Sequence, residues 1–246
     1  MNLRRILVQG LFAILSVITI TYNKIENNAV NAQVNDNQFY NEDVVKNYLL
    51  SHSVPEEKVE ILLKKLDNNE PWDCYQEEKL KNVPSDFDSF ELNGGEDQVK
   101  YYRFEDGSFL LNELRATEDS KYEEKEIITF ERGVSNTAYG SQYTDYKISK
   151  SIGIMNASFY ADFWRARNGY GASKITKATK GRVTGVGTNG STIVQIDRAV
   201  EDLVYKAPAL ASMQFTLTAS VEGITAGTTS YLVLALKNGT MNIYWD

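Results

Sequence analysis

A nucleophile–base pair working near neutral pH is most readily built from histidine and cysteine, and this chain has one of each, His52 and Cys74. They lie about 22 residues apart in one small region. His52 falls at the end of a helical stretch, where its ordinary work is to bond or charge-pair with the last carbonyls. Cys74, between Trp72-Asp73 and Tyr75, reads as a small half-buried apolar residue. The sharper alternative is one half of a disulfide between two chains. One His and one Cys cannot supply the three or four ligands of a zinc site, and neither metal nor cofactor is expected.

Other chemistry-bearing patterns are weaker still. Gly185-Val186-Gly187-Thr188-Asn189-Gly190 matches a dinucleotide loop, but that loop must open a helix. Here Ser191-Thr192-Ile193-Val194 continues as a strand, so a hairpin turn is expected. A glycosidase needs two carboxylates at a fixed separation. Most acids lie in runs such as Glu77-Glu78 and Glu123-Glu124 that read as solvated faces, leaving Asp162 and Asp197 as the notable ones in the β-rich half. Asp67-Asn68-Asn69-Glu70 lacks the spacing of a calcium loop.

The strongest candidate site is basic. Between Phe163 and Ile196 there is no acid, while Arg165, Arg167, Lys174, Lys177, Lys180 and Arg182 lie there among Trp164 and Tyr170. Cations interleaved with aromatic rings suit an anionic polymer. Three readings stand: this face docks on the chain's own acidic N-terminal half, it binds an anionic cell-wall polymer or membrane surface, or it is only solvated. No nucleic acid is expected as a partner.

The elements that must position these residues follow from periodicity. Asn41 caps a first helix carrying Val44, Val45, Tyr48 and Leu49 on one face. Ser53-Val54-Pro55-Glu56 reads as a capping box opening a second helix with Val59, Leu62, Leu63 and Leu66, which stops at Asp67-Asn68-Asn69. Two short helices cannot bury much alone and must lean on something else, with Pro71–Tyr75 as part of that lid. Residues 76–98 read as an acidic linker. Val99–Phe104 and Ser108–Leu111 form a β-hairpin around Glu105-Asp106-Gly107, followed by an acidic connector over 117–126. Period-2 segments predict strands at 146–154, 158–166, 174–185, 192–199, 213–222, 231–236 and 241–245, with 199–206 as a short helix. The expected fold is α+β: an N-terminal helical hairpin plus β-hairpin, then a mostly antiparallel β-sandwich or partly closed barrel.

The N-terminus reads as an export signal: Arg4 and Arg5, an apolar run over 6–20, then Ala29-Val30-Asn31-Ala32. That run is about 15 residues, short of the roughly 20 a spanning helix needs, so cleavage after Ala32 and release are expected. One Cys excludes an internal disulfide framework. Charge is uneven: residues 33–131 hold 11 basic and 25 acidic residues, net −14, and residues 132–246 hold 12 and 7, net +5. The segments divide as 1–32 signal, 33–98 helical hairpin and linker, 99–131 β-hairpin and connector, and 132–246 sandwich.

The succession of a Leu/Lys helix, Pro71-Trp72-Asp73, Tyr102-Arg103-Phe104-Glu105-Asp106-Gly107-Ser108-Phe109 and a β-rich C-terminal half resembles secreted proteins of unknown function from Gram-positive bacteria. That resemblance implies no catalytic residues. The expectation is an exported, non-enzymatic binding protein at or near the cell envelope. A secreted hydrolase, using carboxylates or Cys74 with His52, and a bacteriocin-like effector are the alternatives.

Overall fold

Alternation of side chains is most regular in Met155–Ala166 (β6), where Met155, Ala157, Phe159, Ala161 and Phe163 all turn to one buried side. A strand buried on one face needs neighbours whose apolar faces meet it. Val134–Ile152 (β5) pairs antiparallel with one edge and Lys174–Thr184 (β7) with the other. Gln98–Arg103 (β2), Phe109–Arg115 (β3) and Lys121–Glu131 (β4) complete a six-stranded sheet in the order β2-β3-β5-β6-β7, with β4 on the far part of β5. A second sheet runs Ser89–Phe90 (β1), Thr240–Trp245 (β11), Thr229–Lys237 (β10), Ala209–Leu217 (β9), Thr188–Arg198 (β8). These strands belong to a computed structural model that describes residues 41–91, 95–131, 134–167, 170–185, 188–217 and 228–246. The export signal and its cleavage after Ala32 lie outside the described residues.

The protein is mostly antiparallel β-sheet in two sheets, neither of them closed, with few helices. Ala211, Met213 and Phe215 of β9, Leu232, Leu234 and Leu236 of β10, and Met241 and Ile243 of β11 meet the β6 row and Tyr143, Tyr146 and Ile148 of β5 in one core. Each such side chain contributes about 2 kcal/mol of burial. Phe90 of β1 and Leu114 of β3 belong to the same core. At one end the sheets are tied by polar bonds: Asn112 Nδ2 donates to Ile243 O (3.1 Å) and to Asp88 Oδ1 (2.8 Å), and Lys150 Nζ reaches the same carboxylate at 2.6 Å.

The helices Glu42–Ser51 (α1) and Glu56–Asp67 (α2) form a second core with Trp72 and Cys74 and with Phe109 and Leu111 of β3. Asn41 Oδ1 accepts from Val44 N as expected. Val45 and Leu49 are the buried face of α1, whereas Val44 is exposed because it stands a third of a turn off that face. The capping box is corrected: Pro55 rather than Ser53 is the N-cap of α2, no side chain caps the helix, and Ser53 has left-handed backbone (φ +59°) instead of the extended backbone of an N-cap.

Three further expectations are corrected. The stretch over 76–98 is more than a linker: it contains the one-turn helix Glu77–Leu80 (α3), buried Phe87 and Phe90, and edge strand β1. Residues 121–126 belong to β4, paired along the outer length of β5. Residues 199–206 are not helical; Asp202 Oδ1 takes the N–H groups of Val204 and Tyr205 (both 2.9 Å) and Lys206 is left-handed (φ +53°), which closes a turn instead. Part of the segment expected as a strand over 213–222 lies outside the described residues.

Candidate functional site

Four of the basic residues occupy β7, the terminal strand of its sheet. Strict alternation would place Lys174, Lys180 and Arg182 on one face and Lys177 on the other. Two register shifts against β6, between Asp162 and Phe163 and between Ser158 and Tyr160, each insert a residue into β7 and reset the alternation. Lys174 then stands opposite Trp164, Lys177 opposite Asp162 and Arg182 opposite Ser158. All three partners alternate with the core residues Phe159, Ala161 and Phe163, so the cations share the outer face. Lys180 has left-handed backbone (φ +56°), and its ammonium lies 4.9 Å over the Tyr160 ring centroid. All four are exposed along roughly 25 Å of strand.

Two acids lie beneath this row. Asp145 stands at a bulge in β5 with φ +55°, and its N–H donates to Asp162 Oδ1 at 2.7 Å. Lys180 Nζ is 3.6 Å and Lys177 Nζ 3.9 Å from the Asp145 carboxylate, and Lys177 is 3.9 Å from Asp162. These separations exceed a hydrogen bond, so the acids offset part of the row's charge without using up the ammonium donors.

The remaining residues of the basic tract separate. Trp164 is 3% exposed and packs beside Gly140, where a Cβ would come within 2.7 Å of its ring; it offers no face to a ligand. Arg165 is half-buried and donates Nε to Gly239 O at 2.5 Å. Arg167 and Tyr170 are exposed on the β6–β7 turn, with the Tyr170 ring edge-on to Tyr139 at 5.4 Å. The tract's β7 residues therefore share one outer face, while its β6 residues and those of the β6–β7 turn lie apart from that row. Lysine spacing alone does not reveal the bulges that gather the four cations.

The nucleophile candidates are held in structural roles. His52 Nδ1 donates to Tyr48 O at 2.8 Å, and its ring stacks on Phe109 (5.0 Å) and lies tilted against Tyr48 (4.3 Å). Cys74 is 1% exposed, in the core that it shares with α1 and α2. Gly185 is left by a strand, β8, rather than by the helix a dinucleotide loop requires. Among the described residues no three His, Cys, Asp or Glu side chains group to hold a metal ion, and no helix is long and apolar enough to cross a membrane.

The carboxylates that do converge were missed by sequence reasoning. Asp73 and Asp106 are both buried and both reach Lys65 Nζ, at 3.2 and 2.8 Å. Asp106 also accepts from Asp73 N (2.8 Å), Ser108 N (2.9 Å) and Ser108 Oγ (2.6 Å), and Cys74 N donates to Ser108 Oγ at 3.0 Å. Burial alone would push the Asp106 carboxyl up, but Lys65, Ser108 and the two backbone N–H groups outweigh it and hold it below its ordinary value. For Lys65, burial works downward and the two carboxylates outweigh it, raising it. A carboxylate so satisfied is a clamp between the Trp72-Asp73-Cys74 turn and the Asp106-Gly107-Ser108 turn, not a proton donor at neutral pH. Gly107 is required there: its φ is +97°, and a Cβ would come within 2.5 Å of Lys58 Cβ. The available signal was the acid in a tight Asp-Gly turn flanked by apolar strands.

No family model and no curated protein matches this chain. Among solved structures, a crystal structure of hypothetical protein lmo2686 from Listeria monocytogenes EGD-e aligns at 15% identity over 64% of this chain and 100% of its own, with a TM-score of 0.23.

Proposed function

We propose that this chain is an exported, non-enzymatic binding module that engages an anionic polymer of the cell envelope along β7. In this reading the protein is an α+β sandwich whose helical hairpin is a scaffold and whose terminal strand is the working surface. The observation that carries it is the outer row of Lys174, Lys177, Lys180 and Arg182, aligned by two bulges, with the Lys180 ammonium over the Tyr160 ring. A row of cations two or three residues apart, roughly 6–10 Å along the strand, suits a chain of repeating phosphates or carboxylates, which several weak contacts hold better than one strong one. The placement of His52, Cys74, Asp73 and Asp106 adds support, because the imidazole and the two carboxylates are bonded into the fold and Cys74 is buried in it.

The test is sedimentation of the purified mature chain with cell walls that retain or lack their phosphate polymer. Binding that depends on the polymer and weakens with salt supports the proposal. Equal binding to both wall preparations rejects it.

A further inference from the structure

The loop between β8 and β9 joins two features that rarely occur together, rigid backbone and outward apolar side chains. Val200, Leu203, Val204 and Tyr205 are 45, 53, 83 and 84% exposed, in consecutive or near-consecutive positions of one turn. Single exposed apolar residues are normal, but a contiguous cluster marks a contact surface. The turn is built to hold them there. Asp202 N and Ala207 N exchange bonds with the opposite carbonyls at 2.8 and 3.0 Å, and Asp202 Oδ1 takes Val204 N and Tyr205 N. Its base is fixed by Glu201, 4% exposed, whose carboxylate accepts from Ser173 N (3.0 Å) and Asn238 N (2.7 Å). Both acids of the loop are thus engaged with backbone N–H groups. Exposed cations flank the loop: Lys206 follows the tip, and Lys174, bridged to Val200, and Arg198, bonded to Pro208 O, stand at its base.

We propose that the Leu203-Val204-Tyr205 turn is a membrane-contact tip that enters the interfacial layer of an anionic lipid bilayer, with Lys206 and Lys174 at headgroup level. Aliphatic side chains beside a tyrosine and lysines are the chemistry that such an interface accepts. A pocket on a protein would also take the apolar residues, but the cations flanking them match a continuous negative surface. The tip rests on the binding-module reading only in that both place the chain at an anionic surface; its residues are distinct from the outer row of β7 apart from Lys174.

The experiment is flotation of the full mature chain with vesicles of phosphatidylcholine containing phosphatidylglycerol, and with phosphatidylcholine alone. Wild type should float with the anionic vesicles. Val204→Ser with Tyr205→Ser, which removes only exposed atoms and leaves the Asp202 bonds in place, should lower partition about thirtyfold. Lys206→Ala should weaken binding to the anionic vesicles only, and Tyr205→Trp should shift its emission to the blue on vesicle addition. Unchanged partition of the serine variant overturns the proposal. So does a dimer in sedimentation that the serine variant abolishes, since the tip would then cover a second copy. If vesicles are not bound while cell-wall polymer is, the tip fails and the β7 reading stands. If vesicle binding depends on the tip and polymer binding is absent, the β7 reading fails alone.

Discussion

The side chains most suggestive of catalysis hold the fold together. The clamp of Asp106, Asp73 and Lys65 makes this quantitative, because removing one partner leaves buried charge uncompensated. Asp106→Asn should lower stability by about 3 kcal/mol at pH 7, read by urea denaturation. The pH dependence has a definite sign. Asp106 is held below its ordinary value of 3.8, so its contribution is complete above that pH and is lost as pH falls through the folded value. The gap between wild type and Asp106→Asn should be full at pH 5–7 and close below about pH 4. Lys65 is raised above 10.5, so the gap for Lys65→Met should be full below that pH and narrow above it. A gap constant from pH 3 to 7 contradicts the Asp106 clamp. Cys74, 1% exposed, should resist alkylation in the folded protein and react on unfolding, while Cys74→Ala costs about 1–2 kcal/mol. Fast labelling of the native chain would contradict its burial.

At the scale of elements, the bulges of β5 and β7 decide what the surface presents. Asp145 lies at the β5 bulge, left-handed, beneath Lys177 and Lys180. Asparagine accepts that backbone, so Asp145→Asn should keep the fold and remove one negative charge from under the row. Affinity for a polyanion should rise about threefold, measured by titration calorimetry at low salt; a fall would mean that the carboxylate positions the lysines more than it opposes the ligand. Most strands of the two sheets were legible from burial: apolar alternation marks Met155–Ala166, and a continuous apolar run ending at the Asn238-Gly239 turn marks Thr229–Lys237. β4 was not, since Lys121–Glu126 is rich in acids and lysine and pairs as an outlying ribbon. β1 is two residues long and has no period to read. The 199–206 turn was misread as helix because the Asp202 side chain competes for the N–H groups a helix would use. The candidate face was legible as composition, but its alignment depends on pairing with β6, which no local pattern encodes.

Across the whole molecule, the division into an acidic and a basic half does not follow the packing. β2 and β3 lie in the same sheet as β5–β7, and Phe90 and Leu114 sit in the sandwich core although both precede residue 132. A fragment over 132–246 would lose those side chains together with β3 and β4, the two strands that cover one edge of β5. It should show no cooperative unfolding transition, whereas the chain from residue 33 should melt in one. A fragment with a sharp transition of its own would contradict this account of the core. The central claim is that the outer row of β7 binds an anionic polymer, and a salt titration of binding to purified envelope polyphosphate tests it most directly. With Lys174, Lys177, Lys180 and Arg182 all changed to Ala, far-ultraviolet circular dichroism should be unchanged. Affinity at low salt should drop at least about tenfold, with a shallower salt dependence. Equal binding by the variant and wild type across the salt range, or no binding by wild type at low salt, would contradict it.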